Sequence, residues 1–191
     1  RADNVEKAIA LYKAGRTVQT REAHPREWAR TQHNLAIAYE ERLRGDRAEN
    51  LEEAIALYEA ILTVRTREAL PSDWAATQHS LAFVYEKRLR GDRADNQEQA
   101  IALYKAALTV RTRETLPLDW ATAQQSLGVI YANRVRGDRA DNLEKSIEHL
   151  QAALSARTPE AQPRDWADAQ RNLGLAFGLR TRGERADNFE K

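Results

Sequence analysis

The chain repeats itself with a fixed period of 46 residues. The tetrapeptide Arg-Ala-Asp-Asn, with Glu in place of Asp in one copy, begins at positions 1, 47, 93, 139 and 185. A period of this size is typical of a solenoid and takes precedence over a division into globular domains by length. We therefore predict a single solenoid domain over 1–191. Its repeats are 1–46, 47–92, 93–138 and 139–184, followed by a partial fifth repeat, 185–191.

The composition favours helices and excludes several classes of protein. The chain is 42% apolar and 31% charged, with only 8 Gly and 5 Pro, which excludes disordered and collagen-like chains. No apolar run approaches the length of a membrane-spanning helix. The 30 basic residues balance 29 acidic ones, so we expect no nucleic-acid partner. With no cysteine and no signal peptide, a cytoplasmic segment of a longer array is expected.

Each repeat is predicted to form two helices. Between Asn50 and about Arg67, apolar residues recur every three or four positions, with Asn50 suited to the N-cap. A second helix is expected to begin at Pro71 and to end near Leu89, where Gly91 would adopt the left-handed conformation that stops a helix. We call the first helix B and the second A. The prediction is an all-α solenoid of eight helices in four antiparallel hairpins.

The A helices carry a motif of known repeat proteins. The pattern Leu-Ala/Gly-x-x-Tyr/Phe occurs at 35–39, 81–85, 127–131 and 173–177, and Ala54-x-x-x-Tyr58 follows in helix B. These motifs resemble the tetratricopeptide-repeat superfamily, although the period is 46 residues instead of the usual 34. The long repeats are similar to those of bacterial proteins with CHAT or nucleotide-binding signalling domains. The resemblance implies a right-handed superhelix whose A helices line the concave side and bind proteins or peptides.

Several recurring residues have both a functional and a structural interpretation. The four Trp at 28, 74, 120 and 166 could stack on a ligand, but we expect them to fill space between helices. The Arg-Gly-Asp triplets resemble integrin ligands, yet a helix-ending glycine explains them better, including the fourth copy at Gly183. His33 and His79 share one position without a third metal ligand, so solvated surface histidines are expected.

Recurring charges predict ion pairs between neighbouring hairpins. The arginines are Arg42, Arg88, Arg134 and Arg180, and the glutamates are Glu22, Glu68, Glu114 and Glu160. No catalytic triad, carboxylate pair or phosphate loop occurs, so we predict neither an enzyme nor a bound cofactor or metal.

One set of residues on the A helices points away from the predicted core. At about 100° per residue, the position nine after each Trp lies roughly opposite the Trp, Leu and Tyr face. It holds Ile37, Phe83, Val129 and Leu175. These four residues predict the apolar floor of a concave peptide-binding groove; scattered surface residues or closer helix packing remain the alternative. The flanking residues assigned to the groove are Arg30, His33, Glu40, Glu41, Ala76, His79, Glu86, Lys87, Thr122, Gln125, Asn133, Asp168, Arg171 and Leu179.

The leading hypothesis is a non-catalytic scaffold that binds a protein or peptide, as the sensor or regulatory part of a larger signalling protein. The alternative is a structural spacer or self-assembling array without a specific ligand, of near-consensus or engineered origin. End-to-end self-association is plausible because the terminal helices of a solenoid expose faces built to contact a neighbour.

Overall fold

The computed structural model describes the backbone of residues 2–189 and the side chains of residues 2–180. Within this part of the chain it contains eight α-helices and no strand, which confirms the all-α solenoid prediction. The helices are α1 (Ala2–Gly15), α2 (Pro25–Glu41), α3 (Arg47–Leu62), α4 (Pro71–Lys87), α5 (Arg93–Leu108), α6 (Pro117–Ala132), α7 (Arg139–Leu154) and α8 (Pro163–Phe189). The odd-numbered helices are the B helices, and the even-numbered ones are the A helices.

The B helices α3, α5 and α7 begin at an aspartate, not at the asparagine expected from the sequence. The side chain of Asp46 accepts a hydrogen bond from the backbone N–H of Glu49, 2.8 Å away. Asp92 and Asp138 cap the next two B helices in the same way. The predicted N-cap at Asn50 is therefore wrong: Asn50 lies one turn inside α3 and is buried. Asp and Asn are both good N-cap residues, so the pattern alone did not distinguish them.

The glycine of each Arg-Gly-Asp triplet has the left-handed conformation but does not end an A helix. Helix α4 ends at Lys87, three residues before the triplet begins, and Gly91 (φ 79°) immediately precedes the N-cap of α5. The triplet is thus a turn between helices, where a positive φ favours glycine. Helix α8 continues through Gly183, so the predicted stop there is wrong. Glu184 follows this glycine in place of an aspartate, and glutamate is not a preferred N-cap residue.

The helices are shorter than predicted, and the tryptophans are less buried. Helix α3 ends at Leu62 instead of about Arg67, and the next residue, Thr63, donates its hydroxyl to the carbonyl of Ala60. Trp28 packs against the core but remains half-buried, as do its three counterparts. The guanidinium carbon of Arg67 lies 5.8 Å from the centre of the Trp74 ring, so an arginine partly covers the indole.

The chain divides into two compact units. The first, Arg1–Val110, contains α1 to α5, and the second, Arg111–Lys191, contains α6 to α8. In the first unit the core is formed by Leu35, Tyr39, Leu51, Tyr58 and Leu81 with smaller apolar residues around them. In the second, Ile147, Leu150 and Ala176 form a small buried cluster. Such distribution of buried side chains over helix junctions is expected of repeat arrays.

No described helix has both the length and the apolar character needed to cross a membrane. Over the same residues there is no cluster of three or more His, Asp or Glu side chains able to hold a metal ion.

Candidate partner-binding surface

Two of the four predicted floor residues lie on the A helices of the first unit and are exposed. Ile37 on α2 and Phe83 on α4 each keep 39% of their surface accessible to solvent. Their chain neighbours Ala36, Ala82 and Val84 are completely buried. The outward direction predicted from the helical angle is therefore observed at both positions. Apolar side chains presented in this way are available for contact with a partner.

A lysine covers one side of the phenylalanine. The ammonium of Lys87 lies 3.6 Å from the centre of the Phe83 ring, within range of a cation–π contact. Partial loss of solvent lowers the pKa of Lys87, while the charges of Glu40 and Glu86 act in the opposite direction. The surface around Phe83 therefore combines an aromatic ring with a cation and two carboxyl groups.

Two of the predicted flanking glutamates, Glu40 and Glu86, each accept a hydrogen bond from the B helix that follows their own A helix. The hydroxyl of Tyr58 donates to Glu40 Oε1 at 2.6 Å, and the hydroxyl of Tyr104 donates to Glu86 Oε2 at 3.1 Å. Loss of solvent raises the pKa of both carboxyl groups, and the hydrogen bonds from the tyrosines oppose that change. The two glutamates thus have a packing role whether or not they contact a ligand.

The sequence predicted solvated surface histidines at the shared position, but in the structure both are half-buried against tyrosine rings. His33 packs edge-on against Tyr58 with 5.3 Å between ring centres, and His79 packs against Tyr104 at 5.0 Å. Burial lowers the pKa of His33, since the charged form loses its hydration. Each imidazole fills space between an A helix and the following B helix, where the tyrosine ring provides an apolar wall.

In the second unit, the other predicted floor residues line one hollow. It has a volume of about 160 Å³ and a mainly apolar wall. It is lined by Val129 on α6, by Leu150 on α7, and by Leu175 and Leu179 on α8. Val129 is half-buried, while 61% of the Leu175 surface is exposed. The structure therefore brings Val129, Leu175 and the flanking residues Asn133 and Leu179 together.

Other flanking residues have partners within the chain or remain exposed. The buried side chain of Arg157 donates to the hydroxyl of Thr122 at 2.9 Å and to the amide oxygen of Gln125. Asp168 and Arg171 form an exposed ion pair at 2.9 Å. Of the remaining predicted residues, Arg30 and Glu41 are exposed and Ala76 is half-buried.

The recurring arginines form ion pairs, but with different glutamates from those predicted. Arg42 donates to both carboxylate oxygens of Glu6, at 2.8 and 3.0 Å. Arg88 donates to both carboxylate oxygens of Glu52, each at 2.8 Å. Arg180 lies 2.8 Å from Glu144. The prediction that the partners are Glu22, Glu68, Glu114 and Glu160 is therefore wrong for Arg42, Arg88 and Arg180. The observed glutamates also recur every 46 residues, so the sequence contained this signal without identifying which of the two sets lies near the arginines.

Arg42, Arg88 and Arg134 each also donate to a buried asparagine of the next B helix. Arg42 donates to Asn50 Oδ1 at 3.3 Å, and the amide of Asn50 donates to the carbonyl of Arg44 at 2.9 Å. Arg88 makes the corresponding bond to Asn96. One guanidinium therefore connects three consecutive helices, and the hydrogen bond from Arg42 lowers the pKa of Glu6.

Comparison with known proteins supports the architecture without naming a function. No protein-family model matches the chain, and no curated protein matches it in sequence. Among solved structures, the chain is similar to the crystal structure of BtubC (BKLC) from P. vanneervenii, with a TM-score of 0.70 and 22% sequence identity. The similarity covers 95% of this chain and 70% of BtubC. At this identity it shows a shared fold, a helical-repeat architecture.

Proposed function

We propose that the chain is a non-catalytic scaffold of the tetratricopeptide type and that its A helices bind a protein or peptide. The observation that carries the proposal is the exposure of Ile37 and Phe83 between completely buried neighbours. An outward apolar residue at one position of a helix is common. Its recurrence at the same position of two successive A helices favours a surface kept for a partner.

The chemistry around these residues favours an amphipathic ligand. In the first unit, Phe83 lies beside Lys87 and Ile37 lies near the exposed Glu41. In the second unit, Leu175 and Leu179 border an apolar hollow of about 160 Å³. Contact of an apolar ligand side chain with either patch would increase the affinity, and the nearby charges would favour ligands of complementary charge. Each unit is proposed to offer one such patch.

The biological setting proposed here rests on the resemblance of the repeats. Similar long repeats accompany CHAT or nucleotide-binding domains in bacterial signalling proteins, so we propose a sensor or regulatory role in the cytoplasm. Ligand binding to the A helices would then report the presence of a protein or peptide to another part of the same signalling protein.

The test is selection of helical peptides on the chain, followed by measurement of their affinity for variants. Phe83→Asp should weaken binding by at least about tenfold for peptides that use the first patch, because a carboxylate would replace an apolar contact. Leu175→Asp should have the same effect on peptides that use the second patch. Both side chains are exposed, so the helical signal and melting temperature should change little.

The matched control is Ala56→Asp, which adds the same charge to an exposed position on helix α3. Selected peptides should bind this variant as tightly as they bind the unchanged chain. Peptides that lose no affinity for either patch variant would contradict the proposal. A large loss of stability in both patch variants would show instead that these side chains belong to the core.

A further inference from the structure

We propose that the apolar hollow of the second unit binds one aromatic side chain, from a phenylalanine or a tyrosine of the partner peptide. This inference rests on the proposed function, since it names the group that one of the two ligand patches takes. It follows from a comparison of this hollow with the equivalent place in the first unit, where the chain supplies an aromatic ring of its own.

The hollow lies between helices of two successive repeats. Its lining consists of Val129, Ala132 and Asn133 on α6, Leu150 on α7, and Asn172, Leu175 and Leu179 on α8. The three α8 residues are the counterparts of Asn34, Ile37 and Glu41, which lie on the side of α2 that borders the preceding helix α1. The hollow is therefore enclosed by the side of α8 that faces the preceding helices, and it does not depend on what packs against the opposite side.

In the first unit a tyrosine fills the equivalent place. The ring of Tyr58 on α3 is completely buried, and its hydroxyl donates to Glu40 Oε1 on α2 at 2.6 Å. The nearby ammonium of Lys87 on α4 acts to lower the pKa of the same carboxyl group, against the effect of burial. Helices α2, α3 and α4 therefore contribute one residue each to a set made of a carboxylate, a phenol and a cation.

In the second unit all three members of this set are replaced by uncharged aliphatic residues. Leu150 stands in place of Tyr58, Ala132 in place of Glu40 and Leu179 in place of Lys87. The ring and the carboxylate are lost, and the hollow is bordered by both residues that replace them. The same arrangement of helices thus leaves open the space that holds an aromatic ring in the first unit.

The size and the chemistry of the hollow favour an aromatic group over other side chains. Its volume is about 160 Å³, and an engineered apolar protein cavity of about 150 Å³ binds benzene. None of its described lining residues is charged, so an ionised ligand side chain would lose hydration there without gaining a partner. A neutral ring avoids this loss and gains a large apolar contact area.

The loss of the carboxylate determines the preference between the two aromatic residues. Ala132 offers no side-chain acceptor to a phenol hydroxyl, whereas Glu40 offers one to Tyr58. A phenylalanine should therefore bind the hollow at least as tightly as a tyrosine, because its ring has no hydroxyl that needs an acceptor.

The methyl NMR signals of Val129, Leu150 and Leu175 test the hollow directly. N-acetylphenylalaninamide should shift all three signals in a saturable way. It should bind at least about threefold more tightly than N-acetylleucinamide, because its ring buries more apolar area. Absence of saturable shifts from the phenylalanine amide, or equal affinity for the two amides, would overturn the inference.

Filling the hollow with the chain's own side chains should prevent this binding. Leu150→Tyr combined with Ala132→Glu rebuilds the pair that Tyr58 and Glu40 form. The double variant should keep its helical signal and bind the phenylalanine amide at least about tenfold more weakly. Gln151→Tyr is the matched control, because it adds the same ring at an exposed position of α7 and should bind normally. Unchanged affinity in the folded double variant would overturn the inference.

A change of preference is a result that misfolding cannot imitate. Ala132→Glu alone supplies a carboxylate at the position from which Glu40 accepts the hydroxyl of Tyr58. It should tighten binding of N-acetyltyrosinamide, relative to the phenylalanine amide, by about threefold to tenfold. An unchanged ratio would contradict the equivalence of the two places and overturn the inference.

Peptides that lose affinity for Leu175→Asp distinguish this inference from the proposed function. Each such peptide should carry a phenylalanine or tyrosine whose replacement by alanine weakens binding at least about tenfold. Peptides that bind through Leu175 without an aromatic residue would overturn the inference and leave the scaffold function standing. Binding of the amides without any selected peptide would support the aromatic preference of the hollow and contradict the scaffold function.

Discussion

The α2–α3 junction of the first unit and the α6–α7 junction of the second join equivalent helices with different side chains. In the first, Tyr58 lies across α2 and reaches Glu40 with its hydroxyl. In the second, Leu150 replaces the tyrosine, and Gly128 replaces the alanine found at 36 and 82. A Cβ at Gly128 would lie 2.5 Å from Leu150 Cγ and 3.1 Å from the carbonyl oxygen of Ser146. The first junction contains a hydrogen bond from a tyrosine hydroxyl, whereas in the second Leu150 and the backbone of α7 leave no room for a side chain at Gly128.

This difference shows that the same pairing of helices is kept in both junctions, while the side chains on the two facing helices change together. The α6–α7 junction lacks the hydrogen bond from a tyrosine hydroxyl, but in it the hydroxyl of Ser146 donates to the Gly128 carbonyl. It also contains the aromatic stack of His149 on Tyr131. Substitutions on one helix should therefore be tolerated only with the facing residues of the same junction.

The largest expected change in the free energy of unfolding comes from substitution of the tyrosine of the first junction. Tyr58→Ala should lower the free energy of unfolding by about 3–5 kcal/mol, since it removes a large buried ring and leaves a cavity. The matched control is Tyr12→Ala, the same residue on α1, where the ring is only half-buried. Urea unfolding followed by circular dichroism measures both. Equal losses would show that the covering of the B helix by the preceding A helix contributes little.

Glycine-to-alanine changes should have opposite signs at two equivalent positions. Gly128→Ala should destabilise the chain by about 1–3 kcal/mol, because its new methyl group has no room beside Leu150. Gly174→Ala should instead stabilise it by up to about 1 kcal/mol, because the position is open and alanine favours helix. Thermal unfolding of the two variants at low protein concentration checks the signs. Stabilisation by Gly128→Ala would contradict the close approach of α6 and α7.

The smallest expected effect is a difference in the way that two glutamates make the stability of the chain depend on pH. Loss of solvent raises the pKa of Glu40, so its contribution favours the folded chain at low pH and is lost as pH rises through the raised pKa. The hydrogen bond from Arg42 lowers the pKa of Glu6, so its contribution is present above the model-peptide value of 4.5 and is lost as pH falls.

Unfolding of Glu40→Gln and Glu6→Gln between about pH 4 and pH 7 separates these two contributions. Relative to the unchanged chain, Glu40→Gln should become more stable as pH rises, because glutamine still accepts from Tyr58 without a charge. Glu6→Gln should become less stable over the same range. Parallel pH profiles for the two variants would rule out the assigned environments.

The sequence predicted the architecture because burial of one helix face leaves a regular spacing that a 46-residue period repeats. It also predicted the outward direction of Ile37 and Phe83, which depends only on helical angle. It could not choose between Asp46 and Asn50 as the N-cap, since both side chains suit that role. Nor could it assign the partner of Arg42, because two sets of glutamates share the period and only the packing of the helices brings Glu6 near.

The guanidinium that connects three consecutive helices affects how the array opens. Detachment of α1 would remove Glu6 from Arg42, while the arginine stayed bound to Asn50 in the folded remainder. Arg42 would then be a partly buried cation without its carboxylate, and this raises the free energy of the chain with α1 detached. The same cost opposes the fraying of a single helix wherever an arginine joins three helices in this way. Opening should therefore proceed in steps larger than one helix. Amide hydrogens of an A helix and both adjoining B helices should consequently exchange with solvent deuterium as one cooperative group.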